Sequence, residues 1–301
     1  MKTKLGGILP ALLTPFHADQ TLNVAALERL LERVYTADVD GVYVCGNTGE
    51  GLVLPAEMRR QIVEIAVRNS PRSKQVIVHV GAWSFVEAQA LARHAERVGA
   101  TAVSSLPPAV ASFAELLEHY RALAASTGLP FLAYYFPAAG GGPLSLQQLQ
   151  QICALPGVAG LKYTDYDLFV LSLLIREGKV VFNGRDEVLS AGLLMGAQGG
   201  IGSIYNLVPE WFVELYQHAR AGKWSQARAI QDRINDLIAV LLRFPFMPAF
   251  KRAMEWEGID CGPPLRPRIP LTDEQESKLR SELEPVLLDR PVPVVVRRDA
   301  P

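Results

Sequence analysis

Eight times along the chain a short apolar run gives way to a turn and then to a segment with helical spacing, and this alternation limits the possible folds more than any other feature. The apolar runs fall at residues 7–13, 42–45, 75–80, 102–106, 131–136, 158–163, 180–183 and 199–205. The intervening segments carry helix signals. Asn23 stands where an N-cap belongs, ahead of Leu27, Leu30, Leu31 and Val34 on one face. Ser84 with Glu87 forms a capping box, and Ser112 with Glu115 and Ser145 with Gln148 cap the next two helices. Further helices are expected at 56–68, 168–177 and 188–195, and from Pro209 to about Gly222. Strands alternating with helices imply a parallel sheet. Eight such units in about 220 residues closing on themselves make an α/β fold, the (β/α)8 or TIM barrel. An open doubly wound sheet is the alternative, but it rarely needs eight units this even.

Past Gly222 the alternation stops. Residues 224–242 and 247–257 read as helices with no strand between them, and Thr272 caps a last helix to about Leu288. The expected organisation is a barrel over 1–223, a C-terminal helical extension over 224–290 and a tail over 291–301, an arm or disordered. Composition narrows the class. A net charge of −1 argues against a nucleic-acid or membrane-surface partner, which usually needs a basic patch. Cys45, Cys153 and Cys261 are widely spaced and odd in number, which suits a reducing compartment and neither a disulfide framework nor zinc. The apolar runs fall far short of the roughly 20 residues that span a bilayer. Near Lys2 and Lys4 the apolar run is broken by Pro10 and Pro15 and lacks a small-residue cleavage site, so no signal peptide is expected. A cytoplasmic protein is the expectation.

In a barrel the chemistry gathers at the C-terminal ends of the strands and the loops after them. The sixth run, Val158-Ala-Gly-Leu-Lys-Tyr163, carries Lys162 near that end. Burial can lower a lysine pKa by about 3–5 units, and a neutral amine attacks carbonyls to form a Schiff base. On this stretch alone, an ammonium snorkelling to water is the simpler explanation. After the second run, Gly46-Asn-Thr-Gly-Glu50 can turn backbone N–H groups and the Thr48 hydroxyl towards an anion, or be a plain tight turn. Glu50 is expected to serve as a charge near the next helix N-terminus. Of Tyr134 and Tyr135, one should face the lumen and one the helices. A lumen phenol near an amine can relay a proton, or simply pack. Thr164 shares a face with Lys162. In Asn183-Gly-Arg-Asp-Glu187, Asp186 and Glu187 either cap the next helix or bind substrate hydroxyls. Gly199-Gly-Ile-Gly-Ser203 puts Ser203 among glycines, without the strand–turn–helix order of a dinucleotide loop. His17, His79, His94, His119 and His218 show no metal-ligand spacing, and His79 is expected to be a satisfied core histidine. No metal site is expected.

Taken together, Thr14-Pro15-Phe16, Gly46-Asn-Thr-Gly-Glu50, Tyr134-x-x-Pro137 and Gly160-Leu-Lys-Tyr-Thr164 resemble the N-acetylneuraminate lyase and dihydrodipicolinate synthase superfamily, over roughly residues 5–288. The resemblance implies class I aldolase chemistry on pyruvate, without a cofactor. Lys162 would form the Schiff base, Tyr134 would move the proton, and Asn47 and Thr48 would hold the carboxylate. The stretches 183–187 and 200–206 look like the N-acetylneuraminate lyase branch. There Gly184, Asp186, Glu187 and Ser203 would bind sugar hydroxyls, with Thr164 also matching. The sequence departs from the pattern in places. Asn47 replaces the usual serine or threonine, and Tyr135 stands where the synthases often have asparagine. Ala138 and Ala139 leave no arginine for a second carboxylate. Pro107-Pro-Ala-Val110 lacks the aromatic residue that synthases lend to a neighbouring subunit. These departures count against lysine biosynthesis. Arg185 is unexplained by the pattern, and could favour a substrate with a second anionic group. The implied partners are pyruvate and an aldehyde or sugar, in a homotetramer. A dehydratase or hydratase-aldolase on another keto acid is one alternative, and a non-catalytic keto-acid-binding or assembly protein is another.

Overall fold

A computed structural model describes residues 5–108 and 112–288. The tail at 291–301, Lys2, Lys4 and the end of the Pro107-Pro-Ala-Val110 stretch lie outside the described residues. The chain runs β1 (Gly7–Pro10), α1 (Val24–Thr36), β2 (Gly41–Val44), α2 (Ala56–Asn69), β3 (Gln75–His79), α3 (Phe85–Val98), β4 (Ala102–Ser105), α4 (Phe113–Ala124), β5 (Phe131–Tyr135), α5 (Leu146–Cys153), β6 (Val158–Tyr163), α6 (Leu168–Arg176), β7 (Val180–Asn183), α7 (Leu189–Leu194), β8 (Gly199–Gly202) and α8 (Pro209–Arg220). The helices α9 (Trp224–Leu241), α10 (Phe246–Trp256) and α11 (Asp273–Leu288) follow without strands between them. All strand pairs are parallel, in the order β1-β8-β7-β6-β5-β4-β3-β2. A parallel bridge between Ala11 and Tyr43 brings β1 to β2, and the barrel closes.

Local chemistry sets the elements much as the spacing predicts. Asn23 accepts from the Ala26 N–H at the start of α1, and Leu27, Leu30, Leu31 and Val34 are all buried beneath it. Ser84 and Ser112 accept from the N–H groups of Glu87 and Glu115, and Ser145 with Gln148 forms the full reciprocal capping box. Each such cap typically contributes about 1 kcal/mol.

Two strands stop three residues short of their apolar runs. β1 ends at Pro10 because the backbone then divides its bonds. Ala11 donates to Gly202, Leu12 to Tyr43 and Leu13 to the Asn206 side chain. β8 ends at Gly202 because the Asp186 carboxylate takes the Ile204 N–H at 2.8 Å. The chain there turns into a 3₁₀ segment, Ile204–Asn206.

Two apolar layers result. Leu9, Tyr43, Ile77, Leu132, Tyr134, Phe182 and Ile201 fill the lumen, whereas Tyr135 packs outward with the helix-facing core. That outer core continues without a break into α9, α10 and α11 through Ile234, Leu237, Phe250 and Leu279.

Candidate active site

At the C-terminal mouth of the barrel lies a cavity of about 260 Å³ lined by Lys162, Tyr134, Asn47, Thr48, Thr164, Gly184, Asp186, Glu187 and Ser203. Every residue that sequence reading marks for the site is therefore on one wall or another. Arg185, Phe136, Ile201, Gly202, Ile204, Ile238, Leu242 and Phe246 complete the lining.

Lys162 owes its position to register. Its Cα pairs with Tyr134 on β5 and Phe182 on β7, so in a parallel sheet its side chain enters the lumen beside theirs. It is only 4% exposed, with Nζ 4.2 Å from the Tyr134 ring centre and 4.5 Å from that of Tyr43. Among the described residues no carboxylate pairs with it directly. Burial lowers the Lys162 pKa to about 7, against a partial opposing pull from Asp186. The snorkelling alternative is thereby removed, since the amine ends inside and not in bulk water. Tyr134 is just as enclosed, and burial holds its phenol well above the ordinary range, so it is a proton-bearing donor at neutral pH.

The loop after β2 supplies the facing wall. Its tight turn is built by Glu50 N–H donating to Asn47 and Gly51 N–H to Gly46. The N–H groups of Asn47 and Thr48 donate to nothing among the described residues. The Thr48 hydroxyl meets that of Ser203 at 2.6 Å, bridging the ends of β2 and β8. Glu50 overturns its expectation. It is not a helix-terminus charge: its carboxylate is wholly buried, 3.0 Å from Lys251 and 2.9 Å from Arg268, and accepts the Leu265 N–H. Desolvation explains the choice, because a buried carboxylate needs full partners more than it needs a weak dipole.

The β7 side is more polar. Asp186 is buried, and burial pushes its carboxyl up to about 7, partly offset by the Ile204 N–H it accepts. It does not cap α7, whose first turn gains no side-chain cap. Glu187 instead accepts from the Tyr166 hydroxyl at 3.0 Å. The glycines around it are steric requirements. A Cβ at Gly202 would overlap the Asp186 carboxylate, and one at Gly184 would overlap the Thr164 hydroxyl. That hydroxyl oxygen is buried beside the Tyr134 phenol, whose ionised form it favours against the larger effect of burial.

Several contributors were not singled out from sequence. Tyr43 lies under the lysine and donates to Ser104. Gln231 on α9 holds the Asp186 carbonyl from below at 2.9 Å. Phe246, Ile238 and Leu242 bring the C-terminal helices into the cavity wall. Gln231 had a readable signal, a polar residue on the apolar face of α9, whereas Phe246 had none. His79 is a satisfied core group: its ring bonds the Cys45 carbonyl and accepts the Leu106 N–H. The arrangement offers a partly neutral amine, an adjacent phenol, unfilled N–H groups on one side and carboxylates with hydroxyls on the other. That set can form an iminium with a keto acid and hold a polyhydroxylated chain beyond it.

Comparison with known proteins agrees with this geometry. Residues 4–286 match the model of the dihydrodipicolinate synthetase family. An N-acetylneuraminate lyase of Escherichia coli is 36% identical over 296 residues, covering 96% of this chain and all of its own. The Clostridium difficile protein CdNal, crystallised with mannosamine, superposes with a TM-score of 0.90 at 27% identity, over 94% of this chain and 100% of that one. A catalytic-lysine mutant of Ruminococcus gnavus sialic acid aldolase superposes with a TM-score of 0.89 at 25% identity, over 94% and 95%.

Proposed function

The chain belongs to the dihydrodipicolinate synthetase family, and on that footing we propose that Lys162 is the Schiff-base lysine of a lyase releasing pyruvate from a 2-keto-3-deoxy sugar acid. The protein is a class I pyruvate-dependent aldolase of the N-acetylneuraminate lyase type. The observation that supports the assignment to Lys162 is its amine, buried in the lumen beside Tyr134 with its pKa brought down to about 7.

In the proposed sequence the neutral amine adds to the C2 carbonyl, and loss of water leaves an iminium. Asn47 and Thr48 hold the C1 carboxylate through the unfilled N–H groups and the Thr48 hydroxyl. Tyr134 accepts the proton of the C4 hydroxyl while passing its own to the carboxylate, which a high-pKa phenol can do only as a relay. The C3–C4 electron pair then moves towards the iminium nitrogen, giving an enamine and a free aldehyde. Protonation at C3 and hydrolysis return pyruvate and the Lys162 amine. Thr164, the Gly184 backbone, Asp186, Glu187 and Ser203 line the space for the aldehyde half.

Borohydride reduction in the presence of pyruvate, followed by peptide mapping, tests the assignment. The expected result is the pyruvate-derived mass on Lys162, absent in Lys162→Met. An unmodified Lys162 in the wild type would sink it.

A homotetramer and a cytoplasmic location belong to the same reading. Trp83 and Val86 are each 74% exposed near the start of α3, the kind of apolar surface a second copy covers. The buried free thiols fit a reducing compartment. No helix among the described residues is long and apolar enough to cross a membrane. A monomer in light scattering would contradict the assembly.

A further inference from the structure

Arg185 sits at the mouth of the cavity, and the reaction above gives it no task. Its guanidinium carbon lies 4.4 Å from the Tyr166 ring centre and 5.2 Å from that of Phe136. Phe136 in turn stacks on Tyr134. Aromatic faces hold a guanidinium by its flat sides and leave its in-plane N–H groups for other acceptors. Among the described residues no acceptor takes them. The Nε atom is buried without a partner, and no carboxylate pairs with Arg185 among the described residues. Two acids follow it directly in sequence, yet both are turned elsewhere. Asp186 accepts from Ile204, and Glu187 accepts from Tyr166. The charge nevertheless acts inside the cavity, where it favours the ionised form of Tyr134.

Resting on the aldolase reading, we infer that Arg185 forms an anion subsite at the outer end of the cavity, and that the aldehyde half of the substrate carries a carboxylate or a phosphate. The C1 carboxylate has its own cradle at Asn47 and Thr48, on the β2 loop, so the β7 loop serves a second anion. A planar fork with unfilled donors is the group that recognises either oxyanion, and it does so with charge-assisted bonds. A neutral acceptor meets those donors with hydroxyl oxygens at best, and gives up the stronger charge-assisted bonds.

The test condenses pyruvate with three aldehydes of matched length: D-glyceraldehyde, D-glyceraldehyde 3-phosphate and tartronate semialdehyde, with N-acetylmannosamine as the neutral amino sugar. Wild type, R185Q and R185K are compared by kcat/KM. The wild type should prefer an anionic acceptor over D-glyceraldehyde by about tenfold or more, as one lost charged hydrogen bond implies. R185Q should bring charged and neutral acceptors near parity, with R185K between them because an ammonium lacks the fork. Whichever anion is favoured identifies the source of the charge. Equal use of charged and neutral acceptors by the wild type, no turnover of either anion, or an R185Q loss shared by all acceptors would overturn the inference. Borohydride trapping of pyruvate separates the two levels. A wild type that traps nothing defeats the aldolase reading, whereas trapping with no charge preference defeats the subsite alone. Should R185Q fail to fold, the preference lost in R185K carries the test.

Discussion

At the scale of single residues, the pairing of Lys162 with its surroundings decides reactivity. An ordinary lysine with a pKa of about 10.4 is neutral in roughly one molecule in 2500 at pH 7. Burial brings Lys162 to about 7, where about half is neutral. The single-turnover rate of adduct formation with pyruvate should therefore rise about tenfold per pH unit below 7 and level off above it. A rate that keeps climbing to pH 10 would show an unshifted lysine. Asp186 also titrates near 7 and attracts the ammonium, so the break belongs to the pair. Removing that attraction in Asp186→Asn should move the break to lower pH. Much at this scale is readable without coordinates. A lysine at the C-terminal end of the sixth apolar run, with Thr164 two positions on, already points to the mouth. What cannot be read is how far each side chain is buried, and burial is the term that shifts the pKa.

Among elements, the loop bearing Asn47 and Thr48 is fastened from outside the barrel. Glu50, at its end, is clamped by Lys251 of α10 and by Arg268 and the Leu265 N–H, from the segment before α11. Lys251 also donates to the Thr14 and Pro263 carbonyls. Breaking a buried pair from one side strands the other charge, at a cost of about 3–5 kcal/mol. Glu50→Gln should lose about that much in urea unfolding and raise the pyruvate concentration needed for half-maximal trapping on Lys162. Stability within about 1 kcal/mol of wild type would show that the network does not hold the loop. The double change Glu50→Gln with Lys251→Met should recover part of the loss, because it removes a stranded charge. Sequence reading misplaced Glu50 because a helix start lies close in the chain, whereas its true partners lie 201 and 218 positions away.

For the whole molecule, Lys162 and Asp186 make stability depend on pH in opposite senses. Lys162 has a folded pKa near 7, below its unfolded value, so the folded state binds fewer protons between pH 7 and about 10.4, and stability rises across that window. Asp186 is raised to about 7 from the unfolded carboxylate value. Its contribution is present below that unfolded value and is lost as pH rises through 7. Together they place a minimum near pH 7, with slopes of at most about 1.4 kcal/mol per pH unit on each side. The difference between wild-type and Lys162→Met unfolding free energies should grow in the mutant's disfavour from pH 7 to 10. A difference that stays flat over that range would refute the shift.

The periodicity of apolar residues alone determined the eight strand–helix units, their order and the face that α1 buries, because both periods are local properties of the backbone. It also placed Lys162, Tyr134 and the β7 polar stretch at one end of the barrel, since strand ends in parallel order must share a rim. Only the tertiary structure decided that Gln231 supports Asp186, that Phe246 walls the cavity and that Glu50 answers to Lys251. The same holds for Arg185, whose guanidinium lies over the Tyr166 and Phe136 rings with its Nε unpartnered among the described residues. Those outcomes depend on desolvation and on contacts between residues far apart in the chain, and neither has a period to read.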